Sequence, residues 1–140
     1  KYCCHKLLEH LQMGSTKNSL EKQTYVRIIK SEVVIMKTAV QHVDVMEERI
    51  NHYFKPHIRA RYQIQIVNDK FDHSFNFFFL YKMGNENTRS IPIRVIKDYD
   101  WVYFEKIVRE LHRRVNFTLR FTGFTGEIWQ SNGKMIPRYM

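Results

Sequence analysis

Cysteine is nearly absent from this chain. Cys3 and Cys4 are the only two, and adjacent residues rarely reach the geometry of a disulfide. A disulfide framework is therefore excluded, and a reducing intracellular setting, cytoplasmic or nuclear, is expected. Proline and glycine are also scarce, three and five in 140 residues, and no Gly/Ser-rich or Pro-rich tract reads as a flexible linker. No apolar run approaches the roughly 20 residues of a membrane-spanning helix, and no signal-peptide pattern is evident. Motifs for common chemistries are missing as well: there is no P-loop, GxSxG, HExxH or paired-cysteine pattern. The expectation is a non-enzymatic protein with no cofactor and no metal.

Negative charge is the next shortage. Against 23 Lys/Arg stand 14 Asp/Glu, a formal charge of +9 and a pI near 9.7. Such an excess repels itself unless an anionic partner answers it: nucleic acid, an acidic protein or an acidic membrane. Residues 1–55 carry nine Lys/Arg against six Asp/Glu, and residues 56–140 fourteen against eight, so the excess is +3 and then +6.

What is abundant is aromatic and apolar patterning. Phe75 to Met83 reads as a central strand, with Phe75, Phe77, Phe79 and Tyr81 on one face and Phe78 and Leu80 on the other. Two-sided apolarity of this kind predicts that both faces are covered.

Around that strand the chain is read in order. Residues 1–13 suit a short helix ended by Gly14-Ser15-Thr16, and the Cys3, Cys4, His5 and His10 cluster matches no zinc spacing. Residues 19–54 contain neither Gly nor Pro, and Val26, Ile29, Val33, Met36, Val40 and Val43 alternate in steps of three and four. That is a heptad seam, and it predicts a helix that packs within its own chain, as a lone helix across the sheet does, or that self-associates into a homo-oligomer or with a coiled-coil partner, with a β-branched hairpin as the competing reading. Pro56 marks the boundary between this helical segment, 1–55, and a basic α+β domain, 56–140.

Beyond Pro56 the period becomes two. Arg61 to Val67 predicts a half-buried strand, Asn68 to His73 a turn, and Ile91 to Ile96 a third strand at a sheet edge because of Pro92. Asp98 or Asp100 caps a helix running to about Arg114, with Trp101, Phe104, Val108, Leu111 and Val115 as its apolar stripe. Phe117 to Phe124 alternates as a strand, and Asn132-Gly133 predicts a C-terminal β-hairpin. The fold class is thus α+β: a long N-terminal helix, an antiparallel sheet of three or more strands, one amphipathic helix and a terminal hairpin. A heptad helix leading into three strands and a helix resembles the RWD-type heads of coiled-coil scaffold proteins. The resemblance covers element order, the strands from Phe117 onward depart from it, and no functional residue is carried over.

Basic residues interleaved with aromatics predict nucleic-acid binding, RNA preferred over DNA. The expected phosphate contacts are Arg59, Arg61, Lys82, Arg94, Arg109, Arg113 and Arg114, with Tyr62 and Trp129 stacking on bases. No RNP motif, GXXG loop, helix-turn-helix or finger supplies a specific module. The alternative is a scaffold or assembly protein, viral matrix-like or a kinetochore-type coiled-coil adaptor, meeting acidic protein or membrane surfaces. For catalysis, Asp69, Asp72 and His73 with Asp98 and Asp100 form the candidate cluster, at positions where turns and caps already call for Asp.

Overall fold

The computed structural model describes residues 19–140, without the side chains at positions 19–21, 31, 32 and 34–37. The expected helix over residues 1–13, the Cys3, Cys4, His5 and His10 cluster and the side chain of Met36 lie outside the described residues. The protein is mixed α+β. Its elements run α1 (Ser19–Tyr53), β1 (Ala60–Asp69), β2 (Ser74–Met83), β3 (Arg89–Ile96), α2 (Trp101–Arg114) and β4 (Thr118–Thr122). The chain divides into two compact units, Lys1–Thr38 and Ala39–Met140. The second begins inside α1 and not at Pro56, because Ala39, Val43, Met46 and Ile50 recur at steps of four, three and four and are buried in its core.

In the second unit the strand order is β3-β2-β1-β4. β1 pairs antiparallel with β2, and β2 with β3, whereas β4 lies parallel to β1, so the sheet is mixed and not antiparallel throughout. A parallel neighbour requires a crossover, and α2 provides it. The C-terminal residues extend the sheet beyond β4: Leu119 and Met140 exchange N–H···O bonds of 2.8 Å, and Arg120 bridges Tyr139. The expected hairpin at Asn132-Gly133 is present in short form: Ile128 pairs antiparallel with Met135, and the N–H groups of Trp129, Gly133 and Ile136 donate to the carbonyls of Lys134, Trp129 and Glu127.

Both α2 and the last turns of α1 cover one face of the sheet. Ile64 and Ile66 from β1, Phe75, Phe77 and Phe79 from β2, and Leu119 and Phe121 from β4 are buried there with Phe104, Ile107, Val108 and Leu111 of α2. Phe104 stacks on Phe75 at 4.1 Å between ring centroids. Truncating one such buried ring to Ala costs about 3–5 kcal/mol. Asp100 starts α2 by accepting a 2.8 Å hydrogen bond from the Tyr103 N–H. The helices of this unit pack on that face of the sheet; on the opposite, open face Leu80 is buried and Phe78 half-buried, so the expectation that both faces of β2 are covered holds at Leu80 and only in part at Phe78.

Candidate nucleic-acid interface

Register decides what the open face displays, because residues paired across strands share a face. One row crosses the whole sheet: Pro92 opposite Phe78, Phe78 opposite Gln65, Gln65 opposite Arg120, Arg120 opposite Tyr139. At about 4.8 Å per strand, Phe78 and Tyr139 lie about 14 Å apart with a glutamine and an arginine between them. Gln65 Nε2 donates 3.0 Å to Thr122 Oγ1, and the Arg138 guanidinium stands 5.5 Å from the centre of the Tyr139 ring. The neighbouring rows bring Asn76, Gln63, Thr118 and Thr122 to the same face.

At one end of this face Arg61 sits directly opposite Lys82. Like charges directly opposite on an antiparallel pair destabilise it. Among the described residues neither forms an ion pair, and the same is true of Arg59, Arg120 and Arg138.

The other expected phosphate contacts are employed inside the fold. Arg94 points to the helix side, where its Nε donates 2.9 Å to His42 Nδ1. Arg109 pairs with Glu105 at 2.7 Å and donates to Ser131. Arg113 pairs with Glu110 at 2.7 Å. Arg114 reaches Glu110, Asp44 and Glu47, joining α2 to the last turns of α1. The carboxylates record these contacts. The Arg113 hydrogen bond, with Arg114 adding to it, outweighs burial and holds Glu110 below the usual carboxylate range. Burial pushes Glu105 up, but hydrogen bonds from Ser131 and the Arg109 charge more than offset it. Arg114 is shifted upward, chiefly by its bond to Asp44.

Both expected stacking residues are packed away from the open face. Tyr62 lies parallel to Phe79 at 5.8 Å, and its hydroxyl donates to the Lys55 carbonyl. Trp129 stacks on Phe104 at 6.3 Å and meets Phe121 edge-on at 5.7 Å. The sheet therefore brings together Arg61 and Lys82, with Arg59 just before β1, and leaves Arg94, Arg109, Arg113, Arg114, Tyr62 and Trp129 elsewhere. Phe78, Gln65, Arg120 and Tyr139 were not anticipated. The even-numbered phase of β2 was the signal available for Phe78.

In the seam of α1, Val26 and Val33 are 40% and 44% exposed, Ile29 and Val40 are half-buried, and Val43 is fully buried in the core of its own chain. Burial removes Val43 from any contact between chains. The candidate acidic cluster serves local structure: Asp69 Oδ1 accepts from the N–H groups of Phe71 and Asp72, each at 3.1 Å, and Asp100 caps α2. Among the described residues no three His, Cys, Asp or Glu side chains converge as metal ligands, and no helix is long and apolar enough to cross a membrane. Comparisons with protein-family models, with curated proteins and with solved structures give no match.

Proposed function

We propose that this protein binds single-stranded nucleic acid, RNA in preference to DNA, on the open face of its sheet, and that it self-associates through its long N-terminal helix. The observation that carries the reading is the Arg61–Lys82 pair: two cations held opposite each other with no carboxylate partner among the described residues, beside a face bearing Phe78, Arg120 and Tyr139. A phosphate lying between the two side chains relieves their repulsion and releases its own counterions. Exposed rings on a sheet stack with bases whatever the sequence, and Gln63, Gln65, Asn76 and Thr118 offer partners for a ribose 2′-hydroxyl. Arg59 adds a further cation at the same end.

An acidic membrane is the less supported partner. The two most protruding apolar side chains, Ile58 and Phe71, precede and follow β1, and a ten-residue strand is about 33 Å long. The two therefore do not form one apolar patch. Self-association is supported by the exposure of Val26 and Val33 on α1.

The test is a fluorescence titration of the full chain with single-stranded RNA, single-stranded DNA, duplex DNA and acidic liposomes at two salt concentrations. Tight, salt-sensitive binding of the single strands, RNA ahead of DNA, is expected. Binding of liposomes alone, or of nothing, overturns the reading and transfers the charge to a membrane or to an acidic protein.

A further inference from the structure

Beyond the open face, a second cleft of about 590 Å³ opens on the helix side of the same sheet end. Lys55, His52, His57, Tyr62, Tyr81 and Arg89 line it. Glu86 is the one carboxylate among its lining residues. Neither Lys55 nor Arg89 forms an ion pair among the described residues.

The donors are arranged for an anion. The Lys55 carbonyl, an acceptor that would repel one, is already bonded by the Tyr62 hydroxyl. The Tyr81 oxygen accepts from Arg89 at 3.4 Å, which leaves the phenol's own hydrogen to donate. Arg89 also stands 5.9 Å from the centre of the Tyr81 ring, so its guanidinium is held at the wall of the cleft. His57 Nδ1 accepts from the Arg59 N–H at 3.2 Å, which assigns the hydrogen of the neutral ring to Nε2.

A smaller cleft on the open side, lined by Arg61, Lys82 and Thr88, shares Tyr62 and Tyr81 with this one. The two therefore lie on the two faces of the sheet at the same end of β1 and β2, on either side of the paired Tyr62 and Tyr81. We propose that the larger cleft takes the terminal phosphomonoester of a single strand whose body lies on the open face. A terminal phosphomonoester carries more negative charge than an internal phosphodiester, and a lysine, an arginine and a phenol with little competing carboxylate match that difference. The inference rests on the proposed function, since it names the end of the same ligand.

The experiment measures equilibrium binding of a short uridine oligonucleotide bearing a 5′-phosphate, a 3′-phosphate or hydroxyls only. One phosphorylated form should bind about tenfold more tightly than the hydroxyl form. Arg89→Gln and Lys55→Gln should each remove that preference while leaving the hydroxyl oligonucleotide's affinity unchanged. Equal affinity of the three forms for the wild-type chain overturns the proposal, as does a preference that survives both substitutions. If the hydroxyl oligonucleotide does not bind at all, the proposed function has failed and the cleft is tested separately. Uridine monophosphate and inorganic phosphate, with uridine as control, are then titrated while the ring resonances of His52 and His57 are followed. Saturable shifts with the phosphates and none with uridine support the cleft, and their absence overturns it.

Discussion

Arg94 Nε donates a 2.9 Å hydrogen bond to Nδ1 of His42, and the bond selects one state of the imidazole. Because Nδ1 accepts, the folded protein holds a neutral ring with its hydrogen on Nε2. Burial disfavours the charged ring and the Arg94 charge acts in the same direction, with Asp98 opposing them, so the His42 pKa lies below its ordinary 6.5. A folded-state pKa below the unfolded one means that the unfolded chain binds more protons. This contribution to stability is complete above the unfolded value and is lost as pH falls through the folded one. Urea unfolding at about pH 7.5 and about pH 5.5 should show the loss, which shrinks in His42→Gln because an amide accepts a bond without titrating. An identical loss in the two proteins would remove His42 as its source.

The basic side chains fall into two classes, and charge reversal should separate them. Arg109 and Arg113 are already answered by Glu105 and Glu110, so replacing both with Gln should leave RNA affinity nearly unchanged. Arg61→Glu together with Lys82→Glu should weaken binding at least about tenfold at low salt. It should also flatten the dependence of log K on log salt by about two phosphate contacts. Arg114→Ala should instead lower thermal stability, because Arg114 joins Asp44 and Glu47 on α1 to Glu110 on α2. Loss of RNA binding on removing Arg109 and Arg113 would return α2 to the interface.

Gly123 is required by its conformation and by its neighbour. Its φ is +81°, and a Cβ there would stand 2.8 Å from the backbone oxygen of Asn68. Asn68 cannot easily yield: its side chain donates 3.0 Å to the Gly123 carbonyl and accepts 2.5 Å from the Tyr99 hydroxyl. Gly133 has φ +67° and open space where a Cβ would go, so it isolates the conformational part. Gly133→Ala should cost about 1 kcal/mol, and Gly123→Ala about 2–3 kcal/mol, in urea denaturation. Equal losses would show that the Asn68 backbone moves aside.

Local patterning made much of this fold legible, and side-chain direction made much of the interface illegible. Tyr62, Ile64 and Ile66 alternate and point to the helices; Phe104, Val108 and Leu111 are buried at the expected spacing. Arg94 shows how an alternation argument fails. Counted from Pro92, it belongs to the face of Phe78, but the register shifts between Phe77 and Phe78, so that Arg94 pairs with Phe77 and turns toward α1. One extra residue in an edge strand reverses the parity of everything after it. The parallel pairing of β1 with β4, which sets Arg120 beside Gln65, joins segments more than fifty residues apart and leaves no mark in either one. Nor does composition reveal that Arg109, Arg113 and Arg114 have carboxylate partners on neighbouring turns and on α1.

Self-association depends on the part of the α1 seam that the core leaves exposed. Val26→Asp with Val33→Asp places two charges on that stripe within the first unit, whereas Ala39, Val43, Met46 and Ile50 pack in the second. A dimer in sedimentation equilibrium should become monomeric, with an unchanged unfolding transition of the sheet. Wild-type and variant chains of equal, monomeric mass would remove the seam as an interface.

Phe78 offers the sharpest separation of binding from stability. Its ring is half-buried on the open face between Gln65 and Pro92, whereas Trp129 packs against Phe104 and Phe121 on the helix side. Removing a ring that stacks on a base weakens single-strand binding by about 1–3 kcal/mol. Removing one that packs a core lowers stability by about 3–5 kcal/mol. Phe78→Ala should therefore reduce RNA affinity roughly 5- to 150-fold with a small change in stability. Trp129→Phe, which keeps most of the packing, should leave affinity intact. Tyr62→Phe should do the same while freeing the Lys55 carbonyl that the Tyr62 hydroxyl now holds. If Phe78→Ala binds RNA as the wild type does while Trp129→Phe does not, the ligand lies on the helix side and the open face is not its platform.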